Sequence, residues 1–281
     1  MSGKFQNINF DLDKLPTMPL VAAQMMELIN SPETSAHALA NVVSKDPVVS
    51  ARVLKIANSS FYSMSRQVSS LSTAIVILGE RTLKNLVMAA SMRGMNQSFG
   101  RVEQMLWEDS MVCALASRYL ARKLAIADSE EAFMAGLFRH IGLTVLNNQE
   151  EKADEFIIRS MQSGNQSMAQ QEKERFGATH AEIGAAVLEH WKLSEALSLV
   201  ALHHSDVAFT EEIDLSTVNM TAIVNIAGQL PRHFGLFGQE QELDLDRVPG
   251  VKHLKMDDAY IEDIIEEFHA IFEENQSDFF S

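Results

Sequence analysis

Residues able to do chemistry gather in two places. The run Gly136-Leu137-Phe138-Arg139-His140-Ile141-Gly142 sets an arginine beside a histidine, and further imidazoles follow at His180, His203 and His204. Imidazole nitrogens ligate borderline divalent metals, so His180, His203 and His204 are the residues that would hold a zinc-like ion. The arginine argues against one. A guanidinium stays protonated and offers only donors, so it cannot ligate a cation and repels one nearby. Arg139 beside histidines suits an anion instead, a phosphate or carboxylate gripped by parallel hydrogen bonds. The plainest reading is a structural network of internally bonded polar groups.

These residues need helices to position them. Leu15-Pro16-Thr17-Met18-Pro19 is an extended entry to a helix with Val21, Met25, Leu28 and Ile29 on one face, which Asn30-Ser31-Pro32 ends. Ser35 caps a second helix, and Asp46-Pro47 supplies an N-cap followed by proline at the first helical position. Gly79 separates two more helices. That unit has the outline of a helix-turn-helix with Arg81 and Lys84 facing phosphates, yet its second helix, from Leu83 to Ala90, is largely apolar and reads as core. A long helix runs from Glu103 to about Ala125. Asp128-Ser129 starts the next, which carries Phe133, Leu137, His140 and Ile141 inward as far as Gly142 and Asn147-Asn148. A polar helix precedes a turn at Ser163-Gly164-Asn165, and Gly177 stops the helix after it. Thr179-x-x-Glu182 is a capping box for the helix of His180 and Trp191; Ser194 caps one ending at His203-His204. Another helix spans about Ser216 to Leu230. Residues 231–256 read as a loop packed on the domain or a mobile linker. The last helix spaces Ile261, Ile264, Ile265, Phe268, Ile271 and Phe272 in one stripe, suited to core packing or to docking a partner.

With 281 residues, 46% of them hydrophobic, the chain can bury a substantial core. Its net charge of −15 has the wrong sign for phosphate backbones, so nucleic acid is not the expected partner. Residues 239–281 carry Arg247, Lys252 and Lys255 against thirteen acids, a net −10, which makes the end of the chain an acidic tail. The N-terminus lacks the apolar core of a secretory signal, and no apolar run approaches the roughly 20 residues of a membrane helix, so a cytoplasmic protein with no membrane partner is expected. Cys113 is the only cysteine, which excludes an internal disulfide and a thiolate cluster; its apolar helical context reads as a buried thiol.

Several ordered motifs resemble one family. Leu15-Pro16-x-x-Pro19, Asp46-Pro47, Leu54-x-x-Ala57-Asn58-Ser59-x-Phe61-Tyr62 and Ala74-Ile75-x-x-Leu78-Gly79 follow the pattern of the HDOD (HD-related output domain) family, as do Phe176-Gly177-x-x-His180-x-x-x-Gly184, Trp191 and His203-His204. The likeness covers roughly Asp13 to Leu230. It implies an all-α fold, a multi-helical HD-like bundle (residues 101–230) with an additional N-terminal helical lobe (1–100), followed here by an acidic loop and amphipathic helix (231–281).

The resemblance also implies a bacterial signalling role and a loss of catalysis. In HD phosphohydrolases a His, an adjacent His-Asp pair and a distal Asp hold the metal. Matching those motifs puts Asp109 at the first His, Arg139 and His140 at the pair, and Gly228 after Ala227 at the last Asp. All four depart. Asp109 facing Arg139 would form an internal ion pair, and Asp109, Arg139, His140, His180, His203 and His204 together outline a vestigial pocket. The expectation is a non-catalytic signal-transduction module with no cofactor, acting through a signalling protein partner or an anionic small ligand or nucleotide. The alternative is a divergent metal-dependent phosphohydrolase acting on a nucleotide, with His180, His203 and His204 on the metal.

Overall fold

Local capping chemistry accounts for where most helices begin. In the computed structural model, residues 10–11, 14–29, 35–62, 68–95, 100–150, 153–163, 168–209 and 212–280 are described, and no strand occurs among them. The break expected at Asn30-Ser31-Pro32 and the turn at Gly164-Asn165 lie outside these residues. The helices are α1 (Leu20–Ile29), α2 (Ala36–Ser44), α3 (Pro47–Ala57), α4 (Leu71–Leu78), α5 (Glu80–Met92), α6 (Arg101–Leu124), α7 (Ser129–Phe138) and α8 (Ile141–Gln149). They continue with α9 (Ala153–Ser163), α10 (Met168–Phe176), α11 (His180–His190), α12 (Glu195–His203), α13 (Leu215–Ala227), α14 (Leu230–His233), α15 (Pro249–Leu254) and α16 (Asp258–Phe280). The fold is all-α, as the motifs imply. No described helix is long and apolar enough to cross a membrane.

Contacts divide the chain into two units: residues 1–17 with 98–266, and residues 18–97 with 267–281. In the smaller unit Ser35 accepts from the Ala38 N–H, and Asp46 from those of Val48 and Val49, so both caps act as expected. Asn58 exchanges two hydrogen bonds with the Val68 backbone, at 2.7 and 2.8 Å, and thereby staples the segment after α3. Phe61 meets Tyr62 and Phe279 edge-on and gives its N–H to Asn275 at 2.9 Å. Gly79, at φ +83°, separates α4 from α5. Leu83, Leu86, Val87, Met88, Ala89 and Ala90 are all buried, so α5 is core and not an exposed reading helix. The apolar stripe of α16 is buried at Ile261, Ile264, Ile265, Phe268 and Phe272.

The larger unit is arranged around α6. Helices α7, α13 and α14 pack on it, and α11 packs on α8 and α12. At its start Glu103 accepts from the Gly100 N–H and from Asn147 on α8. Asn147 therefore fastens α8, which runs to Gln149. The expected linker over 231–256 is packed: Leu245, Val248 and Val251 are buried, and Asn225 on α13 accepts from the Gly250 N–H. Proline entry is fixed as well, because Trp191 donates its indole N–H to the Pro16 carbonyl at 2.7 Å.

One boundary differs from the sequence expectation. The helix from Asp128 was read as continuous past His140, whereas α7 ends at Phe138 and His140 sits at φ −109°, ψ 19° as the N-cap of α8. The physical reason is close packing. Gly142 lies against the His180 backbone, where a β-carbon would run into the His180 carbonyl. Bending the chain at Arg139-His140 lets α8 meet α11 backbone to backbone. Gly142→Ala should therefore lower the unfolding free energy by about 3 kcal/mol or more in urea titration; a loss under about 0.5 kcal/mol would contradict this packing.

Candidate functional site

Four segments bring the site together: α6 with Asp109, the α7–α8 junction with Arg139 and His140, the start of α11 with His180, and the end of α12 with His204. Asp109 and Arg139 are nearly sealed, at 2% and 5% exposure. Arg139 donates through Nη2 to both Asp109 oxygens at 2.6 Å and through Nη1 to the Gly228 carbonyl at 3.2 Å. The ion pair is thus internal. Gly228 is small for a reason, since a β-carbon there would overlap the Arg139 guanidinium.

Electrostatics follow from this burial. Desolvation pushes the Asp109 carboxyl up, but the Arg139 guanidinium and His140 outweigh it and hold it well below the usual carboxylate range. Desolvation works against the Arg139 charge, and Asp109 more than restores it. His140 Nδ1 lies 2.9 Å from Asp109 Oδ2, outside the alignment a hydrogen bond requires, so the contact is a short electrostatic one. Burial, with the Arg139 charge second, lowers His140 to about 3. His204 is likewise pushed down, first by burial and then by the neighbouring His180, His140 and Arg139. Both imidazoles are therefore neutral and keep a lone pair near pH 7.

The expected residues separate here. The rings of His140, His180 and His204 form a near-equilateral triangle, with centroids 5.1, 5.2 and 5.3 Å apart. His203, the third member of the expected metal trio, is not in it. Its ring packs on Phe209 at 4.5 Å, because adjacent helical residues point about 100° apart and only His204 can face inward. His140 takes the third position. The engaged Nη groups of Arg139 also favour the internal ion pair over capture of an outside anion.

Two functional groups were not singled out from the sequence. Glu172 on α10 is fully buried and accepts from both the backbone N–H of His180 and its Nδ1, at 3.0 and 2.8 Å. Nothing in the polar run Met168–Phe176 marks it; its position four residues before Phe176, on the same helix face, is the only hint. Asn225 ties the end of α12 by donating to the His204 and Ser205 carbonyls. Cys113 is buried beside Ser117, and burial raises its thiol to about 11, which makes it an inert core group.

The HDOD domain model matches residues 15–207. The chain belongs to the HDOD domain family. Among solved structures, this HDOD chain is similar to a Shewanella amazonensis protein provisionally named a phosphohydrolase, at 23% identity and TM-score 0.71 over 95% of each chain. An HDOD domain protein of unknown function from Geobacter sulfurreducens matches at 23% identity and TM-score 0.68, covering 92% of this chain and 93% of that one. A Marinobacter aquaeolei protein provisionally named for signal transduction matches at 22% and TM-score 0.64, covering 98% of this chain and 62% of the other. A Treponema pallidum protein is 25% identical over 221 residues, 75% of this chain, and the chain spans 42% of that protein's length. At such identities the structural likeness is one of fold.

The HD metal position does not fit a metal here. A protonated guanidinium fills it, bonded to the residue that stands at the first His and to the backbone where the last Asp would stand. The buried neutral histidines make stability pH-dependent with a definite sign. In the unfolded chain His140 gains a proton as pH falls through 6.5, while in the fold it stays neutral down to about 3, so its contribution is complete above 6.5 and is lost as pH falls towards 3. In chelator, the urea midpoint should drop between pH 7 and 5.5 more steeply for the wild type than for His140→Asn, by up to about 1.4 kcal/mol per pH unit; equal slopes would contradict a buried neutral His140.

Proposed function

We propose that this HDOD chain is a regulatory signalling module that does not hydrolyse phosphate esters and works by binding a signalling protein partner or a small ligand. One observation carries the reading: Arg139, at a position that the resemblance matches to an HD metal ligand, bonds instead to Asp109 and the Gly228 carbonyl. Metal-assisted hydrolysis requires an open-site cation to lower the pKa of a bound water. A fixed internal cation cannot do so, because it holds no exchangeable water and its charge is spent on a buried carboxylate. Kinship with signalling proteins agrees with this, and the net charge of −15 favours a partner other than nucleic acid.

The imidazole triangle favours a second reading, a divergent phosphohydrolase with its metal on histidines. Against it, the triangle contains no carboxylate ligand. The two readings part in a hydrolysis screen of nucleoside phosphates and bis-p-nitrophenyl phosphate with Mg²⁺, Mn²⁺ or Zn²⁺. Wild type should turn over no faster than His180→Ala/His204→Ala. Metal-dependent turnover that this double variant lacks would sink the non-catalytic reading.

A further inference from the structure

Hydrogen-bond partners decide which nitrogens of the triangle are free. His180 Nδ1 lies 2.8 Å from both oxygens of Glu172, and His204 Nδ1 lies 2.8 Å from the Ala201 carbonyl. Carboxylate and carbonyl oxygens only accept, so each Nδ1 carries the hydrogen and, in a neutral ring, each Nε2 keeps a lone pair. Yet the two Nε2 atoms face one another at 3.3 Å. A hydrogen on one Nε2, or a metal ion held by both, accounts for that approach. The Ser205 hydroxyl, also 3.3 Å from His204 Nε2, can serve only one of the two nitrogens.

The spacing names the centre. Zinc holds imidazole nitrogen at about 2.0–2.1 Å, and the edge of a tetrahedron with arms of that length is about 3.3–3.4 Å. That is the separation observed. A ring nitrogen of His140 lies within 4.8 Å of the other two, so its approach has to close by no more than about 1.5 Å, within reach of a small side-chain rotation. Outer groups are also in place: Glu172 orients His180 and the Ala201 carbonyl orients His204. Charge points the same way. Asp109 is matched by Arg139, while the buried Glu172 carboxylate has His180 as its only ion-pair partner among the described residues. A cation on the far nitrogen of His180 places a positive centre on the side of that ring opposite the buried carboxylate.

We propose that His140, His180 and His204 bind one borderline transition-metal ion of the zinc, nickel or cobalt class, with Glu172 as the supporting carboxylate. This site is separate from the position that Arg139 fills. Three imidazoles without a direct carboxylate ligand select against Mg²⁺ and Ca²⁺, which require oxygen ligands. The ion would tie the α7–α8 junction to α11 and α12, so its arrival would tighten three elements at once and give the module a metal-responsive state. The assignment stands whether or not the chain is catalytic.

The test uses the full chain without a histidine tag, stripped with chelator, equilibrated with Zn²⁺ or Co²⁺ and desalted. Metal per chain is read by plasma mass spectrometry, and ligand geometry by the visible absorption of bound Co²⁺. Wild type and His203→Ala should each retain about one ion per chain, whereas His180→Ala and His204→Ala should bind at least tenfold more weakly, and Glu172→Gln about 10–100-fold more weakly. Urea midpoints confirm that each variant is folded. Should a variant not fold, wild type and His203→Ala still decide. Wild type with no tetrahedral Co²⁺ bands in excess metal, or His203→Ala losing the ion, would overturn the proposal. Uptake accompanied by hydrolysis would support this site and contradict the non-catalytic reading, so the two can fail separately.

Discussion

A buried guanidinium held by a buried carboxylate is the constraint on which the rest of the site depends. Removing either charge from water is costly, and the pair is tolerable only because each satisfies the other at 2.6 Å and the Gly228 carbonyl takes a further N–H. The consequence spreads outward. Position 228 has no room for a side chain, His140 is kept neutral beside a positive charge, and α6, the α7–α8 junction and the end of α13 are fastened at one point. A covalently attached cation needs no loading and offers no reactive water.

Beside this fixed pair lies a set of buried imidazoles with a different logic. Arg139 and Asp109 are held by opposite charge, whereas His180 and His204 meet through a single Nε2–Nε2 contact at 3.3 Å. The first cluster is closed by its own opposite charges; the second is the one proposed above to take up an ion. Helix junctions supply all of its members, which is how a change in the site would be felt along α8, α11 and α12.

Much of the fold was readable because it is written locally. Ser35, Asp46 before Pro47, Asp128 and the Thr179–Glu182 box all cap helices where their side chains can reach an unpaired N–H three residues on. The Asp109–Arg139 pair was readable from motif positions, since the two replaced ligands are of opposite charge. What escaped depends on packing over distance. Nothing local tells which of His203 and His204 faces inward, because the answer lies in where α12 meets α13. Glu172 resembles its exposed acidic neighbours until α11 closes over it. The bend at His140 arises from the approach of Gly142 to α11, and no residue in the run announces it.

The most direct measurement of the central claim is a double-mutant cycle on unfolding with Asp109→Ala, Arg139→Ala and the double variant. If the guanidinium is a buried cation held by the carboxylate, each single change should cost about 3–5 kcal/mol, since it strands the partner's charge, and the double variant should cost far less than their sum. Single losses below about 1 kcal/mol that simply add would mean the two groups are solvated and independent, and that Arg139 does not fill the cation's place.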